Sequence, residues 1–397
     1  MGKYRLRPPG GKDASYASPL RRWLRGIVIL EICLKRRIEI GILYSRSGSY
    51  QLVSDACRMG AMRAIADINA DRSSGIELVP VERDPQSNAD RYATLCEDIF
   101  RTSNARHVVG CVTSWSRKET IPVLEKAGGM LWYACPYEGF EANEHVVYMH
   151  ACPNQHLVPL MAHVVPRFGA NGFLLGSNYI WGWEMNRVAR DLIADAGGKV
   201  LGERYLRIGE TDVSRLIAEI RATRPNFILN NLIGTSSYAF LAAYRDLAAE
   251  DVAFSPEACP VISCNLTEGE LPAIGESGKG HLSVGPYFAP RPAAFASSFE
   301  ASAYASVQVM ADVLSRDPDA GPAEFSKAFA ARRFSTRLGP VAIDAHSQHA
   351  TLPVIIGRIA NGFFEVVSRE DEVAPDPYLS RYDPAKTFGR PRLRVVS

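Results

Sequence analysis

At 397 residues the chain is long enough for two domains with separate cores, and 47% hydrophobic against 22% charged residues is an ordinary globular composition. The net charge of +2 hides an asymmetry: residues 1–37 hold ten Lys/Arg against Asp13 and Glu31, which leaves −6 on the rest and argues against a nucleic-acid-binding core. The longest apolar run, Gly26–Leu34, contains Glu31 and falls far short of the roughly twenty residues a membrane span needs.

That run has the cationic flank of a signal peptide, but Lys35-Arg36-Arg37 follows it where a small-residue cleavage site should stand. Residues 1–37 are therefore expected to form a basic leader, disordered or outside the core. It could also touch an acidic partner or a membrane surface, or lie as a helix on the domain. Eight cysteines without a CxxC or a framework spacing fit buried free thiols in a reducing compartment. The expectation is a cytoplasmic protein, with the periplasm as the alternative.

From Ile38 onward short apolar runs alternate with helical patterns, which predicts βα units and parallel sheets. The first series has strands at Ile38–Tyr44, Ile76–Val81, Val108–Gly110, Met130–Tyr133 and Val146–Met149. Helices fall between them at Asp55–Asn69, Arg91–Phe100 and Lys118–Lys126, the first placing Met59, Met62, Ile65 and Ile68 on one face. Asn154–Phe168 leads as a helix into a second series. Its strands are Phe173–Gly176, Val200–Tyr205, Phe227–Asn230, Val261–Ser263 and His281–Val284, with helices at Glu184–Ala196, Val213–Arg224 and Ser236–Leu247. Late helices are predicted at Ser297–Leu314 and Ala323–Ala331. A hairpin of Ile355–Ile359 and Phe363–Val367 turns on Asn361-Gly362, a type I′ signal.

This pattern predicts an α/β protein of two lobes, each a mostly parallel sheet flanked by helices, with a ligand in the cleft between them. Residues 38–152 would form the first lobe and 153–284 the second. Residues 285–378 would return to the first lobe and supply the closing hairpin, and 379–397 would form a tail. Ligands of open α/β sheets bind beyond the carboxyl ends of the strands. Six polar-aromatic turns lie at such ends: Ser45–Tyr50, Cys111–Ser116, Ala134–Phe140, Ser177–Trp183, Asn231–Ser237 and Gly285–Phe288. No carboxylate or cation precedes Arg117 in the second of these, and the site suits a neutral polar ligand.

Several of these turns also carry a resemblance. GCVTSWSRK, YACPYEGFE, the CPNQ of Cys152–Gln155, GSNYIWGWE and the late PDPY ending at Tyr378 resemble the amide and urea branch of the type I periplasmic-binding-protein fold, above all the AmiC-type amide sensors of aliphatic amidase operons. The resemblance runs from Ile38 to Tyr378. It implies a clamp that closes on a small neutral amide or urea, and a cytoplasmic role restraining an AmiR-type RNA-binding antiterminator protein. The alternative is a solute receptor of an ABC transporter for urea or short-chain amides. Carried over by motif, Ser114 and Tyr133 would contact the amide from one lobe, Tyr179 and Trp181 from the other. Cys135, Pro136, Thr235 and Tyr287 complete the expected ligand-binding set. Val112 stands where relatives place Tyr or Trp, and Cys135 where the amide sensors have Thr. The chain is also short by about a helix and its loop between Phe299 and Tyr304, judged against a helix of about 11 residues.

Each sharp reading has a plain rival. Ser114 could touch the ligand or merely cap the helix expected to start near Ser116. Tyr133 on pattern alone would be core. Cys111 and Cys135 sit in the expected cleft, but neither turn supplies the His a nucleophilic thiol needs, so packed thiols are the better reading and no catalytic residue is assigned. Glu138 and Arg117 read as structural partners of loops. His346 and His349 are too few for a metal site and fit a solvated turn. GxGxxG, P-loop, HExxH and GxSxG motifs are absent, so no cofactor or metal is expected. The sequence leaves room for a homo-oligomer.

Overall fold

The computed structural model describes Gly2 and residues 35–389. The leader up to residue 34, with its apolar run and Cys33, lies outside the described residues, as does the tail beyond 389. The first sheet takes β1 (Arg36–Leu43), β2 (Ile76–Arg83), β3 (His107–Gly110), β4 (Met130–Tyr133) and β5 (Val146–Tyr148) in the order β2-β1-β3-β4-β5, all parallel. Arg36 and Arg37, assigned above to the leader, are the first residues of β1, pairing with Ile76 and Glu77.

The crossovers are α1 (Gln51–Ala70), α2 (Arg91–Thr102) and α3 (Ser114–Ala127). Their apolar faces close a core with Ile40, Val108 and Leu131 of the sheet. Helix α3 starts four residues before the predicted Lys118, because Thr113 Oγ1 caps the Ser116 N–H and Ser116 Oγ answers by accepting from the Thr113 N–H. The cap is thus Thr113, and Ser116 is its partner inside the helix.

After β5 the chain crosses into the second lobe, through α4 (Leu157–Phe168). There β6 (Gly172–Ser177), α5 (Ile180–Asp195), β7 (Val200–Leu206), α6 (Ser214–Thr223), β8 (Phe227–Asn231), α7 (Thr235–Glu250), β9 (Val261–Ser263) and β10 (Leu282–Gly285) follow. It crosses back to α8 (Ser298–Leu314) and α9 (Pro322–Ala331), which join the first core through Phe299, Val307, Phe325 and Phe329. The approach of α8 to α1 is close: a Cβ on Gly60 would lie 2.1 Å from the Glu300 carbonyl oxygen. A small antiparallel pair, β11 (Phe334–Thr336) with β12 (Gly339–Val341), precedes the third crossing.

That crossing corrects the expected domain layout. Residues of the 295–345 stretch pack in the first core, but the hairpin of β13 (Leu352–Ala360) and β14 (Phe363–Val373) adds to the second sheet, antiparallel to β10. The second sheet therefore runs β14-β13-β10-β9-β8-β6-β7. The reason is apolar: Val354 and Ile356 join one face of that core and Ile355 and Ile359 the other. Asn361 and Gly362 both take positive φ (51° and 76°), as a type I′ turn requires. The tail is not a free end up to residue 389. A short helix, α10 (Pro384–Phe388), follows Tyr382, whose hydroxyl donates to Asp195 at 3.0 Å, and Phe388 packs on the second core.

Candidate functional site

The carboxyl ends of the parallel strands of both sheets meet at one small cavity of about 30 Å3, in the position where ligands of open α/β sheets bind. The first lobe supplies Tyr50, Val53, Val112, Thr113, Ser114, Cys135, Pro136 and Phe299. The second supplies Tyr179, Trp181, Ile233, Asn265 and Glu270. Tyr50, Ser114, Tyr179 and Trp181 are all buried, so the lobes are closed over the cavity. The seam beside it is tight. A Cβ on Gly234, whose φ is +57°, would lie 1.8 Å from the Ser49 carbonyl oxygen, so only glycine permits this approach. Across the same seam the Arg187 guanidinium sits 4.4 Å over the Phe140 ring.

Of the residues expected to bind ligand, the structure brings Ser114, Cys135, Pro136, Tyr179 and Trp181 onto this cavity. Three others lie elsewhere. Tyr133 ends β4 beneath the wall: its hydroxyl donates to the Val112 carbonyl at 2.8 Å and its ring lies 4.8 Å from the Arg117 guanidinium. It therefore supports the turn that lines the cavity. Thr235, the first residue of α7, is exposed to solvent, because the Gly234–Ser49 seam closes the cleft one residue earlier. Tyr287 faces a separate groove, where its hydroxyl donates to the Phe295 carbonyl at 2.9 Å and accepts from the Phe295 N–H at 3.2 Å.

The place expected of the Gly285–Phe288 turn is taken by the turn after β9. Asn265 there is fixed by Ser263 Oγ, 2.9 Å from its Oδ1, and by its own Nδ2 donating to the Leu232 carbonyl at 3.3 Å. Glu270 Oε1 accepts from the Tyr238 hydroxyl at 2.9 Å and Oε2 from the Thr267 N–H at 3.3 Å. Burial pushes the Glu270 carboxyl up to about 7, those hydrogen bonds opposing it. The sequence carried a signal for this turn in its Thr267-x-x-Glu270 spacing, a capping box. Phe299 arrives from α8, remote in sequence, and nothing local marks it.

Behind Ser114 lies a buried charge cluster. Arg117 and Glu138 are both fully buried and paired at 2.8 Å; Arg117 Nε reaches Glu141 at 2.7 Å, and Lys118 also bonds Glu141. Burial alone would raise the Glu141 carboxyl, but the charge and hydrogen bonds of Arg117, with those of Lys118, bring it down to about 2. Ser114 Oγ hydrogen-bonds the second Glu138 oxygen. The structural reading of Arg117 and Glu138 thus fits their placement, although the loops they hold form the cleft wall.

Of the two thiols expected in the cleft, Cys135 lines the cavity and Cys111 lies in the core behind it, and neither is primed for attack. Burial pushes Cys111 up to about 12 and raises Cys135 well above the usual thiol range, and Cys135 Sγ lies 3.7 Å from Cys57 Sγ. His349 departs from the solvated turn expected of it. It is buried, stacked 4.0 Å from the Tyr148 ring, with Nδ1 at 2.7 Å from the Ser347 carbonyl, while His346 is exposed. No group of three or more metal-ligating side chains occurs among the described residues.

Two α/β lobes joined by three crossings and closed over a polar, ring-lined cavity define a two-lobed binding protein. A family model for the periplasmic binding protein domain matches residues 38–384, and the chain belongs to that family. Solved structures share the fold. A solute binding protein of an ABC transporter from R. palustris in complex with 4-hydroxybenzoate superposes with a TM-score of 0.71 at 19% identity, over 85% of this chain and 97% of that one. A second from the same organism, in complex with benzoate, gives 0.74 at 16% identity over 86% and 98%. The branched-chain amino acid transporter substrate binding protein LivJ from Streptococcus pneumoniae, in complex with isoleucine, gives 0.72 at 17% identity over 86% and 100%. At these identities the likeness is one of fold.

Proposed function

We propose that this protein is a receptor for a small neutral solute bearing a primary amide, urea included, which it delivers to an ABC transporter. The observation that carries the reading is the composition of the cavity wall: it contains no Lys or Arg among the described residues, yet it contains Glu270. A ligand carboxylate would lose its water there without a cationic partner, at a cost of several kcal/mol. An uncharged amide meets what the wall offers. The N–H groups of Ser114 and Trp115 open α3 and have no acceptor within it. Trp181 Nε1 is buried on the wall without a hydrogen-bond partner among the described residues. Both are donors for a carbonyl oxygen. The Glu270 carboxyl and Ser114 Oγ can accept from an amide NH2.

The receptor reading places the protein in the periplasm, in keeping with its family, rather than in the cytoplasm as the leader and the cysteines suggest. No described helix is long and apolar enough to cross a membrane. A second reading, the cytoplasmic amide sensor acting on an AmiR-type antiterminator, keeps the support of the five turn motifs. It requires the amide and the partner to weaken each other's binding by one common factor. Amide affinity that is identical with and without a saturating partner removes it.

Calorimetric titration with urea, acetamide, butyramide, benzamide, leucine and benzoate tests the ligand class. At least one amide or urea should bind with a Kd at least tenfold below those of leucine and benzoate. Leucine or benzoate binding more tightly than every amide would overturn the reading.

A further inference from the structure

The ion pair behind the cleft is connected to a cleft hydroxyl, and the connection has a direction. Arg117 Nη2 donates to Glu138 Oε1 at 2.8 Å, while the guanidinium lies 4.8 and 4.7 Å over the rings of Tyr133 and Tyr137. Arg117 is wholly buried and does not line the cavity, so a ligand does not meet its charge. Glu138, paired with it, is a carboxylate and can only accept. Its second oxygen is bonded to Ser114 Oγ, so that hydroxyl must be the donor. Ser114 lines the cavity with its proton already committed.

We propose that Arg117 and Glu138 are positioning residues that turn the Ser114 proton away from the cavity, so that Ser114 shows a ligand only lone pairs and selects one that donates an N–H. A serine without that partner could rotate its proton into the cavity and donate to a carboxylate or a ketone as readily as it accepts. Held by Glu138, it rewards an amide NH2 and gives nothing to a carbonyl-only isostere. Thr113 on the same wall cannot substitute, since its Oγ1 already accepts from the Ser116 N–H at 3.1 Å and lies 3.0 Å from Ser116 Oγ. The proposal rests on the amide reading and sharpens it from a neutral ligand to an N–H donor placed at Ser114.

The test titrates wild type, Glu138→Gln, Ser114→Ala and the double variant with two isosteric pairs, propionamide with butanone and benzamide with acetophenone. In wild type an amide should be preferred over its ketone. Glu138→Gln should reduce that preference about tenfold, because the new carboxamide can donate to Ser114 Oγ and free its proton. Ser114→Ala should reduce it by a similar factor, and the double variant no further. A purely structural role would weaken amide and ketone equally, and that result, or additive effects, overturns the proposal while leaving the amide reading intact. If Glu138→Gln does not fold, Ser114→Ala decides, since it leaves the Arg117–Glu138 pair in place: an unchanged preference there overturns the proposal. Wild type that shows no preference for either amide over its ketone overturns the proposal alone, whereas wild type that binds no amide and no urea overturns the amide reading with it.

Discussion

The turn that opens α3 and the second-lobe wall of the cleft hold their polar side chains differently. On the first lobe the side chains that open α3 are bonded within their own lobe, Thr113 to Ser116 and Ser114 to Glu138, which is paired in turn with Arg117, while the Tyr50 hydroxyl on the same wall has no partner among the described residues. On the second lobe Trp181 Nε1 is buried without a partner, and burial raises the Glu270 carboxyl to about 7. A turn whose side-chain hydrogen bonds are complete is formed before the ligand arrives. A wall with an unanswered donor gains most when the ligand comes. The difference suggests which lobe presents and which one clamps: ligand docks on the first, and closure of the second is driven by what Trp181 acquires.

The largest effect expected from this contrast is on stability. Arg117→Met would leave Glu138 buried without its cation and Glu141 with Lys118 alone, and breaking a buried pair from one side costs about 3–5 kcal/mol. Denaturant unfolding should show it. The exposed Arg204–Glu219 pair, at 2.7 Å, is the control, since Arg204→Met should cost less than about 1 kcal/mol. Equal losses from the two substitutions would mean that the first wall is no more dependent on its charges than the surface is.

Acid should separate the walls next. Burial lowers His107, His156 and His349 to about 4 and His150 and His281 to about 3. A depressed histidine contributes stability that is present above its unfolded value of about 6.5 and is lost as pH falls toward the folded one. Four of these five lie on the first lobe or at its crossings. On the second, Glu268 and Glu270 are raised by burial to about 7, so their contribution is whole below about 4.5 and is lost as pH rises through 7. The histidines outnumber the carboxyls, and Tm should fall by about 5–10 °C between pH 7 and pH 5. A Tm that holds or rises over that interval would show that the histidines are not kept neutral by the fold.

Trp181→Ala tests the clamp itself. It removes the unanswered N–H and a ring of the second core, and should weaken amide binding about 10–100-fold, with a loss of about 3–5 kcal/mol in the ligand-free protein, so affinity is read well below the variant's own unfolding midpoint. Unchanged amide affinity would assign closure to some other group of the same wall, such as Tyr179 or Glu270.

How much of this could be read from residues alone differs between fold and site. The βα alternation needs only hydrophobic period, and Met130–Tyr133 and Val261–Ser263 have the bounds expected of them. The hairpin's turn was readable in Asn361-Gly362, but its sheet was not, because pairing with β10 depends on where the third crossing delivers the chain. At the site, strand ends identify turns and not the side of a turn that faces the cleft. Cys135 and Pro136 reach the cavity, yet Tyr133, two residues earlier, is turned under Arg117. Asn265 and Glu270 follow a strand of three residues whose turn lacks the rings that marked the others. The burial of His349 against Tyr148 needs a contact between residues 201 positions apart, which no local pattern encodes.

The smallest effect concerns the cap that opens α3. Thr113 Oγ1 accepts from the Ser116 N–H at 3.1 Å, and Ser116 Oγ lies 3.2 Å from the Thr113 N–H it satisfies. Thr113→Ala removes the first of these bonds and keeps the second, a loss of about 1 kcal/mol on the usual scale for helix caps. Thr113→Ser keeps the oxygen and should restore most of it. The stability change by itself would be unremarkable for any capped helix. Its interest lies in the ligand, because the same turn carries the Ser114 and Trp115 N–H groups proposed to hold a carbonyl oxygen. If the first wall is preformed, loosening its cap should lower amide affinity slightly, by no more than about threefold, and by the same factor for amide and ketone, since the Ser114–Glu138 bond is untouched. A loss far above that, selective for the amide, would show that Thr113 and not Glu138 sets the polarity of the wall.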